Sequence, residues 1–390
     1  MADTHVPLTR PWMDDRETEA VGRVIRSGWI MQGPEVEAFE REFREAVDAS
    51  HACAVSSGTA ALHLALRAVG VGPGDEVVTA SYSFIATANA ARHCGAVPVF
   101  ADIEAGGPNL DPSSVAACVG PKTRAILCVH QMGMPCDVRA LVAVAGRHGV
   151  PLVEDAACAL GSELQLDSGV ERIGRPHGDV ACFSFHPRKV VSTGEGGMIS
   201  TRHADLDRRV RLDRQHGLST AAPHLQGGGS SERHRTLGFN YRMTDLQAAI
   251  GRVQLRRLGE MLSGRRARAE RYRRLLAVLP VTCPVVPSWA RPNWQSFWIE
   301  LPPDVERDAV GERMRREGVA TRPGIPPAHR EPMYEAELWV AGPTGLGRSE
   351  HASDRILLLP LFPQMSDEDQ DRVVKALETA LQAARQGAAR

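Results

Sequence analysis

The chain has 390 residues, 43% of them hydrophobic and 24% charged, with a formal net charge of −1. That is the composition of a globular protein longer than one hydrophobic core usually serves, and the balanced charge offers no electrostatic case for nucleic acid. No apolar stretch approaches the roughly 18 residues of a membrane span, and the polar start Met1-Ala2-Asp3-Thr4-His5 lacks the pattern of a secretion signal, so the expectation is a cytoplasmic protein without membrane contact.

From about residue 50 to 200, short apolar runs alternate with amphipathic stretches. The runs 76–79, 97–100, 125–129, 150–153 and 180–185 are short and largely apolar, which suits strands covered on both faces. Between them, 59–69 and 138–148 carry helical spacing, so the order is β-α-β and the expected architecture is α/β with a parallel sheet. Ligands in such sheets sit at the carboxyl ends of strands. The stretch 216–231, with Gly227-Gly228-Gly229, has too little apolar content to pack and is expected to be a mobile loop. Asn240-Tyr241-Arg242-Met243-Thr244-Asp245 then leads into a long helix, with Leu246, Ile250, Val253 and Leu258 near helical spacing and Thr244 or Asp245 as its cap. Arginines at 265, 266, 268, 271, 273 and 274 read as one solvated helix face. A strand near 295–301, a helix over 304–317 and a last helix from 366 to about 384 make a smaller α+β unit. The expected division is a large domain, 1–255, and a small one, 256–390. The eight cysteines, at 53, 94, 118, 128, 136, 158, 182 and 283, form no Cys-x-x-Cys pair and read as reduced, buried residues. No metal site is expected.

Only three lysines, Lys122, Lys189 and Lys375, stand among the 46 basic residues. Where a cation alone would serve, this chain uses guanidinium, so an amine needs its own reason. A lysine in a partly desolvated pocket loses its proton and attacks a carbonyl, which arginine does not. Lys189 ends the run Phe183-Ser184-Phe185-His186-Pro187-Arg188-Lys189, just before Thr193-Gly194-Glu195-Gly196-Gly197. Three other pieces stand at predicted strand ends. Ser56-Ser57-Gly58-Thr59-Ala60 opens a helix, where backbone N–H groups bind phosphate or a hydroxyl simply caps. Phe84, in Ser81-Tyr82-Ser83-Phe84-Ile85-Ala86-Thr87, suits a planar ring or the core. Asp155, in Val153-Glu154-Asp155-Ala156-Ala157, suits a protonated pyridine nitrogen or a helix cap. Ser184 adds a second hydroxyl beside Lys189. Each piece alone is ambiguous; in this order, each at a strand end, they fit a phosphorylated aldehyde cofactor.

The chain resembles the DegT/DnrJ/EryC1/StrS family of pyridoxal-phosphate-dependent sugar aminotransferases over nearly its whole length. The resemblance also runs through Ser27-Gly28-Trp29, Gln32-Gly33-Pro34, Phe84-Ile85-Ala86-Thr87-Ala88-Asn89, Asn240-Tyr241-Arg242-Met243 and Leu359-Pro360-Leu361-Phe362-Pro363. It implies the type I aminotransferase fold: a large domain with a mostly parallel, seven-stranded sheet flanked by helices, a small C-terminal α+β domain, and a homodimer with interfacial active sites. It implies pyridoxal 5'-phosphate as cofactor and pyridoxamine 5'-phosphate as intermediate. Lys189 would then be the Schiff-base lysine and proton shuttle, Asp155 the partner of the pyridine nitrogen, and Phe84 the residue over the ring. Ser57, Gly58, Thr59 and Ser184 would hold the phosphate, and Asn240 would reach the phosphate in the neighbouring subunit. Trp29, Arg242 and His329 are expected in the substrate pocket, each with packing as its alternative.

Two departures stand out. Cys158 occupies a position near the cofactor's phenolic oxygen where the family usually has glutamine or histidine, and a thiol donates only weakly. His130-Gln131-Met132-Gly133-Met134-Pro135-Cys136-Asp137 also differs from the usual motif, leaving His130 and Asp137 without an assigned role. The implied reaction moves an amino group from glutamate or glutamine to a keto group of a sugar, nucleotide-linked in the leading reading. Alternatives are a keto-cyclitol or other natural-product ketone, a pyridoxamine-dependent sugar dehydratase, which characteristically replaces the lysine by histidine, and a non-catalytic regulator.

Overall fold

The computed structural model describes residues 5–167, 169–219, 233–334 and 339–388. Two helices, α1 (Asp15–Ser27) and α2 (Pro34–Val47), lead into β1 (His51–Val55), α3 (Gly58–Ala68), β2 (Glu76–Ala80), α4 (Ala86–His93), β3 (Val97–Ala101), α5 (Pro112–Cys118), β4 (Thr123–Val129), α6 (Val138–His148) and β5 (Leu152–Asp155). A hairpin of β6 (Glu163–Leu166) and β7 (Gly169–Arg172) precedes β8 (Val180–Ser184), β9 (Gly197–Thr201) and α7 (Ala204–Asp213). Next come α8 (Asp245–Arg256), α9 (Leu258–Leu276), β10 (Ala290–Arg291), β11 (Phe297–Glu300), α10 (Arg307–Arg316) and β12 (Arg322–Pro323). The chain closes with β13 (Val340–Ala341), α11 (Gly347–Arg355), β14 (Ile356–Leu359) and α12 (Asp367–Ala388).

The main sheet runs β1-β9-β8-β5-β4-β2-β3-β13. From β8 to β13 all neighbours are parallel, while β9 is antiparallel to both β8 and β1. Parallel neighbours require crossovers, and α4, α5 and α6 provide them with helices that cover the sheet. Apolar side chains therefore point into packing on both faces: Val77, Val78, Ile126, Leu127 and Val153 are fully buried. Seven strands match the expected sheet; the two-residue β13 is an eighth, added along Val99 and Phe100. A second sheet, β11-β14-β12, packs with α10 and α12 around Phe297, Ile299, Leu357, Val373 and Leu377. The β6-β7 hairpin and β10 form a third.

Two sequence expectations need correction. The helix starting at 245 is not continuous but breaks at Arg257 between α8 and α9. The arginine run on α9 is not one solvated face: Arg265 is buried, Arg268 and Arg271 pair with Asp367 in the first turn of α12, and Arg271 pairs also with Asp371 in the next. The first turn concentrates acidic residues where a helix dipole favours them, and α9 packs its cations against it. Thr244 caps α8 with a reciprocal Gln247 contact. Asp245 does something else: its carboxylate accepts from the amides of Gly33, Glu35 and Val36 at 2.8, 3.1 and 3.0 Å, and so caps α2, whose own Gly33 has no side chain to do so.

The loop expected over 216–231 lies, from residue 220 on, outside the described residues. All eight cysteines are free. Among the described residues no helix is long and apolar enough to cross a membrane, and no cluster of His, Cys, Asp and Glu has the geometry of a metal site.

Candidate active site

β5 and β8 are parallel neighbours, so Asp155 and Ser184 end on the same edge of the sheet, and the turns that follow bring Cys158 and Lys189 together. The Lys189 amine donates to Cys158 Sγ at 3.0 Å. Asp155 is 4% exposed. Its Oδ2 accepts from Thr87 Oγ1 at 2.8 Å and its Oδ1 from the Ala157 amide at 3.1 Å. Thr87 in turn shares a 2.8 Å hydrogen bond with Ser83. Among the described residues no cation lies within ion-pair distance of Asp155, and burial raises its pKa above the usual carboxylate value despite the Thr87 and Ala157 hydrogen bonds and the field of Lys189.

The start of α3 meets the end of β8. Ser57 Oγ accepts from the Ala60 amide at 3.1 Å and caps the helix, while the Gly58 and Thr59 amides, in the first turn, have no intrahelical acceptor. Gly58 lies so close to Ser184 that an added Cβ would sit 2.8 Å from the serine Cβ. Only glycine lets these two segments approach. Phe84, on the turn from β2 to α4, is 62% exposed, which excludes a core role.

These features fit pyridoxal phosphate on chemical grounds. Free amides beside Ser184 match a phosphate, a buried acid without a cation matches a protonated ring nitrogen, an exposed aromatic matches a ring face, and the Lys189 amine matches an aldehyde. Cys158, which the resemblance sets where glutamine or histidine is usual, touches Lys189.

The remaining candidates are placed differently. Asn240 is exposed, and its backbone bridges to Gln215 rather than to Lys189. It follows Phe239, whose ring stacks on Tyr241 with centroids 5.1 Å apart. Trp29 Nε1 donates to the Gln32 carbonyl at 3.3 Å and lies over Gly33, so it packs on its own turn. Arg242 is half-buried. Both of its ring nitrogens occupied, His329 pairs through Nδ1 with Ser81 Oγ at 2.6 Å and through Nε2 with Glu350 at 3.1 Å, tying the 328–330 turn to the end of β2. None of these four contacts Lys189 in the way Cys158 does. His130 and Asp137 acquire structural explanations: Asp137 caps α6, and His130 accepts the Cys136 amide on Nδ1 and bonds Glu154 through Nε2 at 3.0 Å. Thr87, Ser83 and Asn293, the last described below, were not singled out from the sequence; Ser83 and Thr87 lie in the 81–87 motif that could have pointed to them, and Asn293 lies in none.

This strand order, with its polar cluster on the carboxyl edge of the parallel strands, is the architecture of the aminotransferases. The chain belongs, more narrowly, to the DegT/DnrJ/EryC1/StrS aminotransferase family, whose family model matches residues 11–378. Among solved structures it is similar to the aminotransferase TlmJ from Streptoalloteichus hindustanus, at 34% identity over 97% of this chain and 99% of that one, with a TM-score of 0.88. DesV of S. venezuelae, solved in complex with a ketimine intermediate, is 34% identical over 99% of both chains, with a TM-score of 0.86. A sugar aminotransferase described as such for Streptococcus pneumoniae, Spr1654 in its PMP form, shares the fold at 24% identity, covering 99% of this chain and 100% of that one, with a TM-score of 0.90.

Proposed function

We propose that the protein is a pyridoxal-phosphate-dependent aminotransferase that moves an amino group from glutamate or glutamine to a keto group of a nucleotide-linked sugar. The observation that carries this is that the Lys189 amine, held against Cys158, and the Asp155 carboxylate, buried without a cation, belong to two adjacent parallel strands and the turns that follow them on the same edge of the sheet. When bound, the cofactor supplies an aldehyde and an electron-withdrawing ring. Lys189 would supply the amine for that aldehyde and, as a free amine, the base for the donor's α-proton. Asp155, whose two oxygens are oriented by Thr87 and Ala157, would hold the ring nitrogen. Gly58, Thr59 and Ser184, with the Ser57 cap, would hold the phosphate. Phe84 would lie against the ring. The exposed Asn240 serves the site of a second copy, which makes the working unit a homodimer of two-domain chains divided near residue 255, in the cytoplasm. Trp29, Arg242 and His329 shape the acceptor side.

Absorbance tests the reading. The loaded protein should show a visible band that bleaches with glutamate or glutamine and returns on addition of a keto-sugar nucleotide or, if the acceptor is of the other class, a keto-cyclitol. A band that responds to no amino donor overturns it.

A further inference from the structure

The turns that hold Cys158 and Lys189 are not held by the main sheet alone. The segment 293–296, just before β11, reaches both of them and the 131–133 turn as well. Asn293 is completely buried and uses its side chain fully: Nδ2 donates to the carbonyls of Cys158 and Leu160 at 2.8 and 2.9 Å, and Oδ1 accepts from the Gln295 amide at 2.8 Å. Its backbone amide donates to Ser162 Oγ at 3.1 Å, and that hydroxyl donates on to the Gly133 carbonyl at 2.7 Å. Gly133, at φ 86°, has no room for a Cβ beside Asn293 Oδ1. Gln295 Nε2 donates to the Arg188 carbonyl at 2.9 Å, one residue before Lys189.

Between the two, Trp294 is forced to φ 54°, a left-handed conformation that a bulky side chain adopts only when its surroundings hold it there. They do. Its ring packs against Phe297 and Trp298, and the buried Arg265 guanidinium donates to the carbonyls of Trp294, Gln295 and Leu361 at 3.0, 3.1 and 3.3 Å. The strained turn lets residues 293 and 295 point their amides at two different turns of the main sheet.

We propose that Asn293 and Gln295 are positioning residues: by fixing the Cys158 and Arg188 carbonyls they set the spacing of the Cys158 thiol and the Lys189 amine. The proposal rests on the reading of Lys189 as the cofactor-capturing amine. Asn293 and Gln295 thus form a clasp that acts on Lys189 through Cys158 and Arg188, without contact with any reacting atom.

Gln295→Glu is the cleaner test, because position 295 is only half-buried and the substitution keeps its shape while turning a donor toward a carbonyl into an acceptor. Two properties of the loaded protein are read: its affinity for pyridoxal phosphate and the pH midpoint of the lysine-bound chromophore. Gln295→Glu should bind pyridoxal phosphate about fivefold more weakly and move the midpoint by roughly half a pH unit, with a Tm within about 2 °C of the parent. Gln295→Lys, which restores a donor, should return both part of the way. Asn293→Asp should move both further in the same direction. Wild-type affinity and midpoint in Gln295→Glu overturn the proposal, as do changes that merely follow a loss of Tm. Borohydride reduction and peptide mapping of the wild type separate the two ideas: no pyridoxyl group on Lys189 overturns the functional reading. The clasp is then decided by amide exchange of 186–190, which must be faster in Gln295→Glu if Gln295 holds that turn.

Discussion

Glu154 and Asp155 are consecutive on β5, both are buried, and they face opposite sides of the sheet, yet their surroundings treat them in opposite ways. On one side, Glu154 accepts from His130 and from the amides of His177 and Gly178, the last two at 2.7 Å each. Burial alone would raise its pKa, but these donors hold it below the ordinary value. On the other side, Asp155 has Thr87 and one amide, and burial wins. A fully partnered carboxylate is finished as it stands. One kept buried without a cation is shaped for a positive charge that something else brings, and the two neighbours thereby separate the part of β5 that builds the fold from the part that serves the site.

Mutation can break this contrast. The largest effect belongs to the site side: Lys189→Arg should lower single-turnover amino transfer by about 1000-fold or more, because guanidinium can neither capture an aldehyde nor shuttle a proton. Full turnover in that variant would remove the basis of the contrast. Asp155→Asn should cost roughly 100-fold in turnover while leaving the Tm of the ligand-free protein unchanged or higher, since it removes a buried charge that no cation balances. Glu154→Gln should behave in reverse. It breaks a buried charged cluster and should lower stability in urea by about 3 kcal/mol, with turnover per folded molecule largely kept; a stability-neutral Glu154→Gln would show that the two carboxylates are not so different. The smallest effect concerns His63, a third buried ionisable group, bonded to Tyr241 beside the segment carrying Asn240. Burial, with His93 and Arg67 nearby, depresses its pKa to about 4 from 6.5. The folded protein therefore binds fewer protons there than the unfolded chain, so stability is present above pH 6.5 and is lost as pH falls toward 4. In His63→Phe the decline in urea midpoint across that window should be shallower.

The strands that carry the site were legible because strands buried on both faces read as apolar runs, as in 125–129 and 180–183. The hairpin of β6 and β7 was not: its residues are only partly buried and alternate too briefly to show a period. Lys189 stood out through the rarity of lysine, and Asp155 and Ser57 through their place after strands and before helices. Glu154, Asn293 and Asp245 offered no comparable signal. Their importance comes from partners 24, 135 and 212 residues away, and a local pattern contains none of that information. The arginines of α9 misled for the same reason, since the acidic turn that receives them lies about a hundred residues later.

The cap that Asp245 places on α2 also bears on how the chain is made. The amide of Glu35 meets its acceptor only after another 210 residues have been synthesised, a delay of about 10–40 s at ordinary translation rates. Through that interval α1 and α2 exist without α8, against which both pack. The apolar side chains they turn toward α8, Ala20, Val24 and Phe39 among them, are left for a chaperone or a collapsed intermediate to cover. α1 is thus made long before it can reach its final state, and a nascent chain stalled before residue 245 should present α1 to proteases while the strands from β1 to β9 are already complete.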